Sequence, residues 1–149
     1  MKAELPRRKR SILGSAWPGA GTRSAWHEML PLPQESRDQL SLEHHLQLEA
    51  LRAGAGTLMS LKLLMRVALA SLLLQQLGYG EPLPRSVEDY ETTARHALDT
   101  GADGVYRFDA AAFAVFARLV NYHDAQLDVA PWKALIHVAA RLEQYSRPA

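Results

Sequence analysis

The side chains of this sequence best suited to chemistry are its six histidines, His27, His44, His45, His96, His123 and His137. His123 is followed at once by Asp124. A His-Asp pair joined by an earlier histidine, here His96, offers the donor types that hold a divalent metal and activate its bound water. The set is incomplete. Asp128, the last aspartate, lies only one turn beyond Asp124 and so adds no donor from a separate helix. The plainer reading is a helix-surface pair, or a partly buried histidine bonded to a backbone carbonyl. His44 and His45 are neighbours that point about 100° apart on a helix, so they do not serve one metal. His45 and Glu49 are four apart, the spacing of an ordinary surface pair. His96, His123 and Asp124 are thus the only metal candidates. No metal site and no cofactor is expected.

Other reactive groups are missing. There is no cysteine, which removes disulfides, thiolate zinc sites and thiol nucleophiles and fits a reducing, cytoplasmic compartment. Gly54-Ala55-Gly56-Thr57 lies between two helical patterns and lacks the lysine of a phosphate-binding loop. No serine sits in a nucleophile elbow. The His-Asp pair on a helical scaffold is similar to that of HD-class metal phosphohydrolases, which implies a remote alternative as such an enzyme. Without the later aspartate, a non-enzymatic protein is expected.

Charge is segregated. Residues 1–26 hold Lys2, Arg7, Arg8, Lys9, Arg10 and Arg23 against Glu4 alone, a net +5. The remainder holds 11 basic and 15 acidic residues, a net −4. Arg7, Arg8, Lys9 and Arg10 form the one cluster suited to sequence-independent phosphate contacts with nucleic acid. The other reading of such a cluster is a solubilising tail. The twin arginines also have the form of an export signal, but Ile12-Leu13 is followed by Gly14 and Pro18, short of the roughly 7–15 apolar residues that a signal needs.

These groups must be carried by helices. Residues 1–33 contain four prolines and three glycines and read as an extended, largely disordered basic arm. A helical domain is expected over 34–149. Ser36 and Gln39 have the spacing of a capping box, and a first helix runs to about Arg52 with Leu42, Leu46 and Ala50 as its core stripe, widened by Leu40, Leu48 and Leu51. Gly54 and Gly56 end it. Thr57 caps a second helix over Leu58–Leu77, interrupted only by the narrow polar strip Lys62, Arg66 and Gln76. Those charges break the apolar run that a membrane span requires, so the helix is expected at the centre of a bundle. Ser86 and Asp109 cap two further helices, residues 100–108 form a loop, and Pro131 separates a fifth helix that begins near Trp132. The expectation is all-α: a single bundle of about five helices around one apolar helix.

Leu30-Pro31-Leu32-Pro33, Leu40-Ser41-Leu42-Glu43-His44-His45-Leu46, Leu51-Arg52-Ala53-Gly54-Ala55-Gly56, Gly78-Tyr79-Gly80 and His123-Asp124-Ala125-Gln126-Leu127 resemble a group of small, largely uncharacterised proteobacterial helical proteins. Some of these are described as Fis-like transcriptional regulators. The resemblance covers about residues 30–145. It implies a bacterial, cytoplasmic, DNA-binding regulator and supplies no catalytic residue. The DNA-binding end of a Fis-type protein is a basic helix-turn-helix. Thr57-Leu58 and Lys62 echo it, but the surrounding helix is too apolar to read base edges. Two functions are therefore expected in turn. The first is a regulatory or accessory protein that contacts nucleic acid through Arg7–Arg10. The second is a protein-interaction module, a homodimer or adaptor, motivated by the apolar surplus of the second helix and by Trp17, Trp26 and Trp132. Neither involves a membrane or a small-molecule ligand.

Overall fold

The computed structural model describes residues 25–146. They form an all-α bundle: α1 (Ala25–Glu28), α2 (Gln34–Arg52), α3 (Leu58–Gln76), α4 (Val87–Thr100), α5 (Ala110–Val129) and α6 (Trp132–Ser146). The five expected helices are present. Residues 25–33, part of the arm expected from the sequence, carry α1 and pack against the domain. Leu32 is buried there, the Trp132 amide donates to the Leu30 carbonyl at 2.8 Å, and Pro31 lies antiparallel to Pro131. An apolar Leu-Pro segment gains more from burial beside α6 than from solvation. Arg7–Arg10 lie outside the described residues.

The helix ends follow local chemistry. Thr57 accepts from the Ser60 amide at 3.3 Å, while the Ser60 hydroxyl accepts from the Thr57 amide at 3.0 Å, a reciprocal box at the start of α3. Ser86 accepts from the Asp89 amide at 3.2 Å, and Asp109 from the Ala112 amide at 2.8 Å. The box expected at Ser36 and Gln39 does not form. Pro33 stands at the N-cap without a side-chain cap, and Ser36 is buried inside the helix. Docking of Leu32 starts the helix directly after Pro33. Between α4 and α5, Asp103 and Gly104 both take positive φ, 56° and 73°, in a tight reversal that pairs Ala102 with Val105.

α3 is central: α2, α4, α5 and α6 all pack on it. Contrary to the sequence expectation, Lys62 and Arg66 do not make the helix too polar for a bilayer by length and composition, but half of it is buried inside the bundle, as in the core helix of a globular fold. The core has two apolar parts. One gathers Leu48, Leu51, Leu64, Tyr90, Phe108 and Phe116. The other gathers Leu32, Leu40, Leu74, Leu127, Trp132 and Leu135. A fully enclosed leucine of this kind contributes roughly 1.5–3 kcal/mol.

One sequence expectation is corrected at α2. Its buried stripe is Ser36, Leu40, His44, Leu48 and Leu51. Leu42 and Leu46, expected in the core, are 60% and 57% exposed. The helix carries two apolar stripes, and the one that faces inward is flanked by polar contacts to α5, Arg37 with Asp128 and His45 with Asp124.

Candidate functional site

On α2, α3 and α5 alike, the residues lying between the two apolar parts are polar. They are His44, Ser71, and the pair His123 and Gln126, all essentially enclosed. His123 falls on the spacing of Phe116, Val120 and Leu127, which turns it inward on α5.

The hydrogen bonds of this layer fix its protons. Gln126 Nε2 donates to the Ser71 carbonyl and to the Tyr79 carbonyl, both at 2.9 Å. Its Oε1 is therefore the atom that faces His123 Nδ1, 3.1 Å away. An amide oxygen only accepts, so His123 Nδ1 carries the proton and donates. The Ser71 hydroxyl oxygen, 3.0 Å from the same nitrogen, shares that proton. Nδ1 thus cannot act as a base toward Ser71, although the pair has the composition of a nucleophile and its activator. Both residues are 0% exposed, so no substrate reaches them.

His44 packs against His123 with ring centroids 5.5 Å apart and planes tilted by 50°. Neither His44 nitrogen has a hydrogen-bond partner. Burial, followed by the proximity of His123 and His45, lowers its pKa to about 3. Burial also lowers the pKa of His123, against the opposing effects of Gln126 and Asp124. Both imidazoles are neutral at pH 7.

The sequence candidates for a metal are not brought together. His96 is exposed on α4, whereas His123 is enclosed. Asp124 turns away from His123, and His45 Nε2 donates to its Oδ2 at 2.9 Å. No cluster of three or more His, Asp or Glu residues suited to a metal occurs among the described residues. Asp128 accepts from Arg37 at 2.9 Å. The whole His-Asp region of α5 is therefore a polar seam against α2. Sequence reading missed Ser71 and Gln126. Their signal was present: each is a polar residue at helical spacing within an apolar face.

A second feature lies on the opposite side of α3. An open groove of about 680 Å³ runs along it, with α4 and the end of α6 as walls. Leu58, Met59, Met65, Leu69, Leu98 and Tyr145 supply its apolar surface. Met59 and Tyr145 are 69% and 60% exposed. Lys62, Arg66 and Arg95 edge it, and the one acid there, Glu91, accepts from Arg95 at 3.1 Å. The polar strip of α3 thus forms part of a groove margin. No family model, curated protein or solved structure matches this chain.

Proposed function

We propose that this protein is a non-enzymatic helical interaction module, and that the groove on α3 receives an amphipathic helix with acidic side chains. The observation that carries this reading is the apolar groove itself, bordered by Lys62, Arg66 and the Arg95–Glu91 pair, a net charge of +2. The stretch Leu58–Leu69 that lines it extends about 17 Å at 1.5 Å per residue, room for about three turns of a partner helix. Helices recognised in grooves insert apolar side chains at i, i+4 and i+7 spacing, and charge of opposite sign sets their orientation. The enclosure of Ser71 and His123 supports the non-enzymatic part.

Methionine methyl NMR tests it, because only Met1, Met29, Met59 and Met65 are present and two of them line the groove. A synthetic twelve-residue helix with leucines at i, i+4 and i+7 and glutamates beside them is expected to shift Met59 and Met65 and leave Met29 unchanged. Its lysine counterpart is expected to bind much more weakly. Absence of any shift at millimolar peptide would rule the groove out.

A second reading is carried by the segregation of charge: a regulatory role with nucleic-acid contacts from Arg7, Arg8, Lys9 and Arg10. The resemblance of residues 30–145 to a largely uncharacterised group of small proteobacterial proteins, some described as Fis-like regulators, is in keeping with it. Binding to mixed-sequence duplex DNA, with and without residues 2–10, is the measurement that decides it.

A further inference from the structure

The groove needs an acidic, amphipathic helical ridge, and this chain carries one. On the outer side of α2, Leu42 and Leu46 stand one turn apart and exposed. Glu35 and Glu49 lie on the same stripe at its two ends, and Asp38 and Glu43 border it. All four acids are exposed, and Glu49 is paired with Arg52, so Glu35, Asp38 and Glu43 carry the negative charge of the ridge. From Glu35 to Glu49 the ridge measures about 21 Å, comparable with the groove.

We infer that the groove on α3 is filled by the Leu42–Leu46 ridge of α2 from a second copy of the chain. This rests on the groove being a helix-binding site. Charge selects the occupant. With Arg95 paired to Glu91, the margin carries a net charge of +2, which repels another groove and disfavours a groove-to-groove contact. Residues 1–24 have the same sign as the margin, so the chain's own basic segment is also disfavoured. The acids around Leu42 and Leu46 have the opposite sign. Ridge and groove are different surfaces, so the contact is head-to-tail. An open assembly keeps one free groove at one end and one free ridge at the other, so it grows with concentration unless it closes on itself.

The test uses the full chain and two exposed double variants. Met59→Glu with Lys62→Glu disables the groove, and Leu42→Lys with Leu46→Lys disables the ridge. Circular dichroism confirms that each remains helical, as expected for exposed positions. Light scattering coupled to gel filtration is then run from 10 µM to 500 µM. The wild-type chain is expected to gain mass with concentration, and less so in 0.5 M salt. Each variant alone is expected to remain monomeric. Mixed, they are expected to form a one-to-one dimer, because the groove-disabled copy still offers a ridge and the ridge-disabled copy still offers a groove. A wild-type chain that stays monomeric at 500 µM overturns the inference, and so does a mixture that stays monomeric while the wild type associates. In either case, Met59 and Met65 shifts with the synthetic helix would keep the groove as a site for a different protein.

Discussion

His44 and His123 meet ring to ring, 5.5 Å apart, at the level where the two apolar parts of the core are divided. Their contact joins α2 to α5 without a hydrogen bond from either His44 nitrogen. It therefore depends on both rings being neutral. The folded state holds the His44 pKa at about 3, below its ordinary 6.5. Below pH 6.5 the unfolded chain binds a proton that the folded chain refuses. Stability is complete above 6.5 and is lost progressively as pH falls toward 3, by about 1.4 kcal/mol per pH unit for this residue. His123 acts in the same direction. Urea unfolding at pH 7, 6, 5 and 4 is expected to show a steep fall below 6.5. In His44→Leu the slope is expected to flatten. At pH 7 that variant gains about 1 kcal/mol, because an unsatisfied buried polar group is replaced by an apolar one.

Gln126 and Ser71 both touch His123 but do not carry equal weight. Gln126 joins α5 to α3 and to the turn after α3 through the carbonyls of Ser71 and Tyr79. Gln126→Leu removes both of those donors and the acceptor for His123, and is expected to cost about 2–3 kcal/mol. Ser71→Ala removes only a shared acceptor, and is expected to cost less than about 1 kcal/mol. Equal losses in chemical denaturation would contradict the proton assignment at Nδ1.

The helices were legible because capping residues and breakers mark their ends. Thr57, Ser86, Asp109 and Pro131 act where the sequence places them. What the sequence left open is orientation about a helix axis. On α2, Leu42 and Leu46 are as apolar as Leu40 and Leu48, and periodicity alone does not choose between the stripes. The stripe that turns inward is the one that meets His123, Asp124 and Asp128 of α5, about eighty residues away, a pairing that the local sequence of α2 does not contain. The two residues of the His-Asp dipeptide part for a related reason. Adjacent helical residues diverge, so one enters the core and the other reaches the seam. The groove was legible only as a condition, that α3 is more apolar than its neighbours can cover.

The basic cluster makes a quantitative claim on the nucleic-acid reading. Four phosphate contacts from Arg7, Arg8, Lys9 and Arg10 give a slope of log affinity against log salt of about −3.6 on duplex DNA. Titration of a fluorescent mixed-sequence duplex between 50 and 200 mM salt is expected to show a loss of roughly a hundred-fold. Deletion of residues 2–10 is expected to abolish binding. Binding that survives the deletion would place the contact elsewhere, with Lys62, Arg66 and Arg95 the next cations to reverse.

The turn after α3 supplies a paired test of how the polar layer is closed. Gly78 and Gly80 both take positive φ, 98° and 108°, so a side chain at either position is strained. Their surroundings differ. A Cβ on Gly78 meets nothing within 4 Å. A Cβ on Gly80 lies 2.9 Å from the Tyr122 hydroxyl and 3.1 Å from the Gln126 side chain. Tyr122 donates to the Glu81 carbonyl, and Gln126 holds the Tyr79 carbonyl, so neither side chain yields without breaking a bond to this turn. Gly78→Ala is expected to cost about 1 kcal/mol through backbone strain alone. Gly80→Ala adds overpacking and is expected to cost about 2–4 kcal/mol. The Gly80 variant is also expected to speed hydrogen exchange at the backbone amides around His123, because displacement of Gln126 loosens the layer. Equal costs for the two alanines, with exchange unchanged near His123, would show that the turn does not brace the buried histidines.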